Sequence, residues 1–303
     1  MLTLLAYRGL QATAFTSIAR RCRNAGVVLC YHNVVSAADT THAGNAALHM
    51  PLERFESQMR WLAGHYDILP LSEFLDRLVD GKPMRKKATL TFDDAYAGVF
   101  EHAWPVLREL GLSATVFIIT GAPVRRRRFW WDDPATQQES STRRDEWLTT
   151  LRGDGDVILR SLGADPGTED GTAAPCLPAS WQVVREAARS GMELGVHSAT
   201  HRALPTLSDD ELVAEIEGSR ETLSRETGIQ PAFFSFPYGL WDERTRQHVQ
   251  HAGYRAAVTL DYGLVHPSVD LWSLPRVNVP SGIAGPAFKA WAAGLNLRET
   301  FRA

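Results

Sequence analysis

The stretch Ala88-Thr-Leu-Thr-Phe-Asp-Asp94 decides the fold, because a short apolar run ends there in two adjacent carboxylates. Thr, Leu and Phe favour a buried strand. In parallel α/β sheets, ligands bind at the carboxyl ends of the strands. Adjacent carboxylates repel, so Asp93 and Asp94 stay ionised together only where a cation or solvent compensates. A strand followed by an ordinary polar turn is the competing interpretation, since Asp is common in turns.

Apolar runs alternate with segments of helical periodicity on both sides of this stretch. We predict further strands at 26–32, 114–119, 193–196, 232–236, 255–259 and 274–279. Helices are predicted at 51–64, 71–79, 96–110, 181–190, 208–226 and 243–251. Ser72 and Ser208 are predicted N-caps, and Glu211 completes a capping box with Ser208. The alternation predicts a parallel sheet covered by helices, and about seven such units favour a barrel over an open sheet.

Composition describes an ordinary globular protein. Of 303 residues, 44% are hydrophobic and 22% charged, and the net charge of -3 argues against a nucleic-acid surface. The basic run Arg125–Arg128 is interpreted first as a solvated loop, with contact to an anionic glycan, lipid or partner as the alternative. Residues 134–178 are polar, and we predict an insertion packed on the barrel top, with two short helices around Gly153.

The sequence predicts a cytoplasmic protein. Its three cysteines, Cys22, Cys30 and Cys176, lack a Cys-x-x-Cys spacing and fit a reducing compartment. No apolar run is long enough to span a bilayer, and arginines interrupt residues 1–25, which argues against a secretory signal. This N-terminal segment is predicted to be an amphipathic helix, with apolar side chains at Leu2, Leu5, Leu10, Phe15 and Ile18. We expect it to pack on the body of the protein, residues 26–303; peripheral binding to the inner face of the membrane is the alternative.

A second motif, His197-Ser-Ala-Thr-His201, follows the predicted strand at 193–196. Two imidazoles four residues apart project the same way from a helical turn, so both can bind one metal ion. Two histidine nitrogens and a carboxylate oxygen are typical ligands of zinc or a neighbouring divalent ion. A pair of surface histidines is the alternative. However, His197 ends an apolar strand as Asp94 does, which predicts that these side chains converge on one face of the sheet.

A third motif, Phe234-Ser-Phe-Pro-Tyr-Gly239, runs from a strand into a turn. The sharp turn exposes backbone N–H groups at its mouth, and such a donor can stabilise an oxyanion. An ordinary strand-ending turn is the alternative interpretation.

In this order, the three motifs resemble those of the polysaccharide deacetylases with a NodB-homology domain, carbohydrate esterase family 4. The resemblance covers about residues 27–279. It implies an α/β fold, an irregular and incomplete (β/α) barrel, and removal of the acetyl group from an N-acetylated sugar.

The same resemblance implies a role for each motif residue. Asp93 is the expected general base, and Asp94, His197 and His201 are the expected ligands of one divalent metal ion. Zinc is the first expectation for that ion, with cobalt, nickel and manganese as alternatives. The backbone N–H of Tyr238 is expected to face the oxyanion.

Several positions depart from the pattern common in the family. Ala95 stands where many members have Gly after the Asp pair. Ser235 or its neighbours stand where many have an Arg that pairs with the base. The Leu-x-His that supplies the general acid is matched literally only by Leu264-Val-His266.

A subgroup of exopolysaccharide deacetylases that looks circularly permuted accounts for most of these departures. There, a strand ending in Tyr-His opens the domain and brings the acid His to the site. Val28-Leu-Cys-Tyr-His32 resembles that strand, so we predict His32 rather than His266 as general acid, with a hydrogen bond from His32 to a backbone group as the alternative. Arg276 is a candidate replacement for the missing Arg, and a structural salt bridge is its alternative.

Aromatic side chains near the motifs are candidates for sugar binding: Trp130, Trp131, Tyr238 and Trp241, with Pro237 beside them. Ordinary burial is the alternative interpretation for each of the four aromatic side chains. The predicted function is hydrolysis of the acetamido group of N-acetylated sugars in a polysaccharide or its lipid-linked precursor. An O-acetyl esterase and a catalytically inactive carbohydrate-binding relative are the alternatives.

Overall fold

The computed structural model describes residues 6–9, 15–39, 44–137, 139–165 and 172–296. Its strands are β1 Val27–Tyr31, β2 Asn33–Val35, β3 His49–Pro51, β4 Asp67–Ile68, β5 Lys87–Phe92, β6 Thr115–Ile118, β7 Glu193–Val196, β8 Phe233–Ser235, β9 Ala256–Tyr262 and β10 Leu274–Asn278. Its α-helices are Phe15–Cys22, Leu52–Ala63, Leu71–Val79, Trp104–Glu109, Ala122–Arg125, Pro134–Gln137, Ser141–Thr149, Gly155–Ser161, Trp181–Arg189, Asp209–Thr227, Glu243–His251 and Gly285–Ala292.

Seven parallel strands close into a barrel. Their order is β1-β10-β9-β8-β7-β6-β5, and β5 pairs with β1 from Ala88↔Val27 to Phe92↔Tyr31. β4 pairs with the start of β5 and β6 with its end, so both lie along one edge of β5. The predicted irregular (β/α) barrel is confirmed, and its ring is incomplete relative to the eight strands of a standard (β/α) barrel.

The first strand lies between the last strand and β5, which is the position that the permuted interpretation requires. Because the barrel strands are parallel, their carboxyl ends open at one end of the barrel. His32 follows β1, Asp93 follows β5, His197 follows β7 and Phe236 follows β8. The topology therefore gathers the three motifs at that end.

Burial on both faces explains the sequence of β5. Ala88, Leu90 and Phe92 belong to the main apolar cluster, and Thr89 and Thr91 are also buried. Near-continuous apolar or β-branched runs are expected where a parallel sheet is covered on both sides.

Two predicted helix starts differ from the structure. The helix Leu71–Val79 has Pro70, not Ser72, at its N-cap. The Glu193 carboxylate accepts hydrogen bonds from the N–H groups of Leu71 (3.0 Å) and Ser72 (3.1 Å), so a side chain from a distant strand replaces the local cap. The predicted helix at 96–110 begins with a π-helical turn, Val99–Ala103.

The insertion at 134–178 covers the mouth of the barrel. Its described part contains the two predicted helices around Gly153, Ser141–Thr149 and Gly155–Ser161. Trp147 and Ile158 pack from these helices into one apolar cluster with Ile119, Trp130 and Trp131.

The described part of the N-terminal segment packs on the body of the protein. Tyr7 is buried, and its Oη accepts a hydrogen bond of 2.8 Å from Trp291 Nε1. The Arg20 guanidinium lies 5.8 Å from the centre of the Trp61 ring, whereas Ile18 is exposed. Three predicted apolar positions and the side chain of a fourth lie outside the described residues: Leu2, Leu5, Leu10 and Phe15. None of the helices in the described ranges is long and apolar enough to cross a bilayer.

Candidate active site

A cavity of about 270 Å³ opens at the carboxyl ends of the barrel strands. Eight side chains that the sequence predicted for the site line it: His32, Asp93, Asp94, Trp130, Trp131, His197, His201 and Tyr238. The structure thus brings together residues from four separate strand ends.

Asp94, His197 and His201 form a compact group of metal-ligand type. Asp94 Oδ1 lies 3.5 Å from Nε2 of both histidines, and the two Nε2 atoms are 3.1 Å apart. Ligands about 2.1 Å from a tetrahedral ion lie about 3.4 Å from one another. The three atoms therefore have the spacing of a zinc-type site.

The chemistry of these atoms also fits a cation. His197 Nδ1 lies 2.7 Å from the Ser235 carbonyl, to which it donates, so Nε2 keeps its lone pair. Burial lowers the pKa of His197 and of His201, which keeps both rings neutral. Burial, followed by the charge of Asp93, raises the pKa of Asp94, whose Oδ1 has no hydrogen-bond partner among the described residues. A divalent ion would satisfy this buried oxygen.

The motif His197–His201 is not the helical turn that its spacing suggested. Ser198 and His201 adopt left-handed backbone conformations, with φ of 63° and 61°. The Ser198 hydroxyl accepts the His201 N–H at 2.9 Å. The Glu215 carboxylate accepts the N–H groups of Ala199 (3.0 Å) and Thr200 (2.9 Å). Side chains rather than helical hydrogen bonds hold this loop and so place His201.

Asp93 is held in a buried ion pair. Arg276 is fully buried and contacts both carboxylate oxygens, Nη1 to Oδ1 at 2.8 Å and Nη2 to Oδ2 at 2.6 Å. The Ser235 hydroxyl lies 3.2 Å from Oδ2, which is 3.9 Å from His197 Nε2. Burial raises the pKa of Asp93, but Arg276 and then His197 outweigh it, so the net pKa lies below the usual range. Arg276 thus pairs with Asp93, a contact that both its predicted role and the alternative of a structural salt bridge require, and Asp93 is ionised.

His32 lines the same cavity, with a ring nitrogen within 4.8 Å of Asp93 and of Cys30 Sγ. Within the described part of the chain its ring makes no hydrogen bond, so the alternative of a backbone partner gains no support. Burial lowers its pKa to about 4, against the raising effect of Asp93, so the ring is neutral at pH 7.

His266 lies far from this cavity. It is exposed and follows Val265, which bridges Gly26 at the amino end of β1. The cavity side chains lie at the carboxyl ends of the strands, so the structure places His266 at the opposite end of the barrel.

The turn after β8 has the strained geometry expected of a donor site. Tyr238 has φ 58° and ψ 6°, a left-handed conformation that is uncommon for a non-glycine residue. The two hydrogen bonds of this turn use the N–H groups of Gly239 and Leu240, and not that of Tyr238. Its phenol lies over the mouth, where Oη accepts from Trp130 Nε1 at 3.0 Å.

Trp130 and Trp131 line the cavity but are largely buried, each 9% exposed. The Trp131 ring centre is 4.6 Å from that of His201, and its Nε1 donates to Tyr96 Oη at 2.8 Å. These rings therefore buttress His201 and Tyr238 besides offering edges to the cavity.

Pro237 and Trp241 are not brought into this lining. Pro237 is the buried first residue of the turn, and Trp241 donates its indole N–H to Asp261 at 2.8 Å. Their roles in sugar binding stay predictions.

The structure adds a polar network that the sequence did not reveal. The buried Asp132 accepts hydrogen bonds from Tyr96 Oη (2.5 Å) and the Asn45 N–H (2.8 Å), and its Oδ1 lies 3.1 Å from His49 Nε2. Through Tyr96, this carboxylate fixes the indole of Trp131 against His201. Sequence motifs could not find the network, because its members come from segments up to 87 residues apart.

Comparison with known sequences identifies the family of this chain. A sequence model of the family described as polysaccharide deacetylase matches residues 80–257. YxkH of Bacillus subtilis, whose name assigns it to the polysaccharide deacetylases, is 24% identical over 270 residues, which cover 88% of this chain and 76% of that protein. A poly-β-1,6-N-acetyl-D-glucosamine N-deacetylase of Staphylococcus aureus is 41% identical over 69 residues, 22% of this chain and 24% of that one.

Solved structures show the same fold. The deacetylase PplD of Streptococcus pyogenes has a TM-score of 0.62 at 22% identity, covering 86% of this chain and 95% of that one. IcaB of Ammonifex degensii has a TM-score of 0.61 at 19% identity, covering 89% and 98%. Because the family model spans more than half of the sequence, the chain belongs to the polysaccharide deacetylase family.

Proposed function

We propose that this protein is a metal-dependent deacetylase that hydrolyses the acetamido group of N-acetylated sugars in a polysaccharide or its precursor. One observation carries the proposal. An ionised carboxylate, a set of three metal-type ligands and a neutral imidazole converge on one cavity, from strands that are far apart in the chain. A catalytically inactive relative has no need of this full set.

Asp94, His197 and His201 would hold one divalent ion, with zinc expected first and cobalt, nickel or manganese as alternatives. When bound, such an ion supplies polarisation of the acetyl carbonyl and a lowered pKa for water.

Asp93 is the proposed general base. Its ion pair with Arg276 keeps the carboxylate charged and fixes the orientation of both oxygens. Because Oδ2 lies 3.9 Å from a ligand nitrogen of His197, a water molecule at the ligand set is within its reach. A carboxylate of lowered pKa is a weak base, so it needs an acidified water molecule as its proton source.

His32 is the proposed proton donor to the leaving amine, which departs poorly unless it is protonated. The free ring is neutral at pH 7, so it must first gain a proton. Its nitrogen lies within 4.8 Å of the Asp93 carboxylate. A proton that Asp93 takes from water therefore has a short path through His32 to the nitrogen. The N–H of Tyr238 is the proposed donor to the oxyanion.

Acetate release tests this proposal. The purified protein is assayed on N-acetylglucosamine oligomers and on O-acetylated xylan oligomers, with Asp93→Asn as the inactive control. We expect acetate from the N-acetylated series, at a rate that falls by a factor of about 10²–10⁴ in the variant.

The other two functions predict different results. Release from the O-acetylated series alone would identify an esterase. Binding of either series without acetate release, in protein shown to contain the metal, would identify an inactive binding relative.

A further inference from the structure

One basic side chain in the catalytic cavity has no place in the proposed mechanism. Arg144 lines the cavity from the insertion helix Ser141–Thr149. The other acidic and basic side chains of the lining are the proposed catalytic and ligand groups: His32, Asp93, Asp94, His197 and His201.

The charge of Arg144 has no counter-charge in contact with it in the described part of the chain. Among the residues that the structure describes, its guanidinium makes no hydrogen bond and no ion pair. Its neighbour Arg143 instead contacts Glu146 at 2.9 Å. Arg125 and Arg127, in the basic run beside the site, lie 3.5 and 3.3 Å from Asp156. Arg144 therefore differs from these nearby arginines, because it faces the cavity without an ion-pair partner among the described residues.

The carboxylates at the base of the cavity already face other side chains, so Arg144 is not needed as their partner. Asp93 is matched by both terminal nitrogens of Arg276, and Asp94 faces the two histidines. The rest of the cavity lining is largely apolar and includes Leu48, Leu148 and Leu260. A charge–charge contact is stronger beside such a wall than in bulk water, because less water screens it.

We propose that Arg144 recognises an anionic group of the substrate, so that the preferred glycan carries a carboxylate or phosphate close to its N-acetyl group. A guanidinium presents a planar pair of N–H donors that matches either group with two parallel hydrogen bonds. This inference rests on the proposed deacetylation and names the class of glycan on which it acts.

Three substrates and two variants test it. Acetate release is measured as kcat and KM on N-acetylglucosamine tetramer, on a tetrasaccharide that alternates N-acetylglucosamine with glucuronate, and on N-acetylglucosamine 1-phosphate. The variant is Arg144→Gln. Arg143→Gln is the matched control, since it removes the same charge from the adjacent position on the same helix.

We expect the wild-type protein to show a KM about tenfold lower for the carboxylate or the phosphate substrate than for the neutral tetramer. Arg144→Gln removes that difference by raising the KM for the anionic substrate. Its kcat and its KM for the neutral tetramer should stay within about twofold of the wild-type values. Arg143→Gln keeps the preference. The anionic substrate whose KM rises in Arg144→Gln shows whether the recognised group is a carboxylate or a phosphate.

An equal KM for neutral and anionic substrates in the wild type, or a preference that survives in Arg144→Gln, overturns the inference. Salt dependence gives an independent readout if the variant fails to fold. The wild-type KM for the anionic substrate must then rise with sodium chloride while that for the neutral tetramer stays constant, and equal responses contradict the inference. Acetate release without charge preference refutes only this inference, whereas no release from any N-acetylated substrate refutes the proposed function.

Discussion

The Asp93–Arg276 pair joins catalysis to stability at the scale of single residues. Asp93→Asn removes the proposed base and should lower turnover by a factor of about 10²–10⁴. It also leaves the buried Arg276 charge without a partner, which typically costs about 3–5 kcal/mol of unfolding free energy. Steady-state kinetics and urea unfolding measure the two effects.

Ser235→Ala is the control for this substitution. It removes the weaker 3.2 Å contact to the same carboxylate and leaves the ion pair. We expect turnover within about tenfold of the wild type. An Asp93→Asn protein that binds metal and retains near-normal turnover would show that Asp93 is not the base.

His32 and His266 lie at opposite ends of the barrel, so their substitutions should differ sharply. His32→Ala removes a cavity side chain and should slow turnover about 10²–10⁴-fold. His266→Ala changes an exposed ring and should leave turnover unchanged. An active His32→Ala protein and a slow His266→Ala protein, measured on the same N-acetylated substrate, would assign the general-acid role to His266 and contradict the permuted interpretation.

The lowered pKa of His32 also predicts a pH dependence of stability. The unfolded chain protonates this ring below pH 6.5, whereas the folded protein does so only near pH 4. The contribution of neutral His32 to the free energy of unfolding is therefore complete above pH 6.5 and is lost as the pH falls towards 4. Because the His32 ring is partly exposed, we expect the loss of unfolding free energy at pH 5 to be about 1–2 kcal/mol.

Urea unfolding of the metal-free protein at pH 7.5 and pH 5 measures this loss. The wild-type protein should lose more stability between the two values than His32→Asn, and the difference isolates His32 from the other buried histidines. Equal losses in the two proteins would contradict the lowered pKa.

At the scale of secondary-structure elements, the loop that carries His201 depends on a neighbouring helix. Glu215, in the helix Asp209–Thr227, accepts two backbone N–H groups of this loop and the Thr200 hydroxyl. Glu215→Gln removes the negative charge that strengthens the two backbone hydrogen bonds and turns the acceptor of the Thr200 hydroxyl into a donor, so the loop should be held less firmly. We expect metal affinity to fall about 10–100-fold, as for other residues that orient a ligand.

Glu221→Gln, an exposed change on the same helix, is the control and should leave metal affinity unchanged. Zinc titration with a competing chelator gives both affinities without relying on activity. Equal metal affinities for Glu215→Gln and the wild type would show that Glu215 supports the fold and does not position the proposed ligand His201.

Local sequence patterns predicted an element correctly where the hydrogen bonds that fix the element are also local. The capping box of Ser208 and Glu211 is confirmed, because both partners lie within one helical turn. Sequence reasoning was wrong at Ser72, where Glu193 from another strand supplies the cap, and at His197–His201, where Glu215 and Ser198 replace a helical turn. In both cases a tertiary hydrogen bond overrides a local preference.

At the scale of the whole molecule, alternation of strands and helices was enough to predict the parallel barrel, because each apolar strand needs cover on both faces. The placement of β1 between β10 and β5 does not follow from alternation and was anticipated only through the resemblance around His32. The Asp132 network was not anticipated, since nothing in the sequence pairs His49 with a residue 83 positions away. The cytoplasmic location stays a prediction.

The most direct test of the central claim is the rate of acetate release from N-acetylglucosamine tetramer in three states of the wild-type protein: as purified, after removal of metal by a chelator, and after addition of one equivalent of zinc. The convergence of Asp94, His197 and His201 beside Asp93 predicts activity in the first state, its loss in the second and its return in the third. Full activity in protein shown by elemental analysis to be free of metal would contradict a metal-dependent deacetylase.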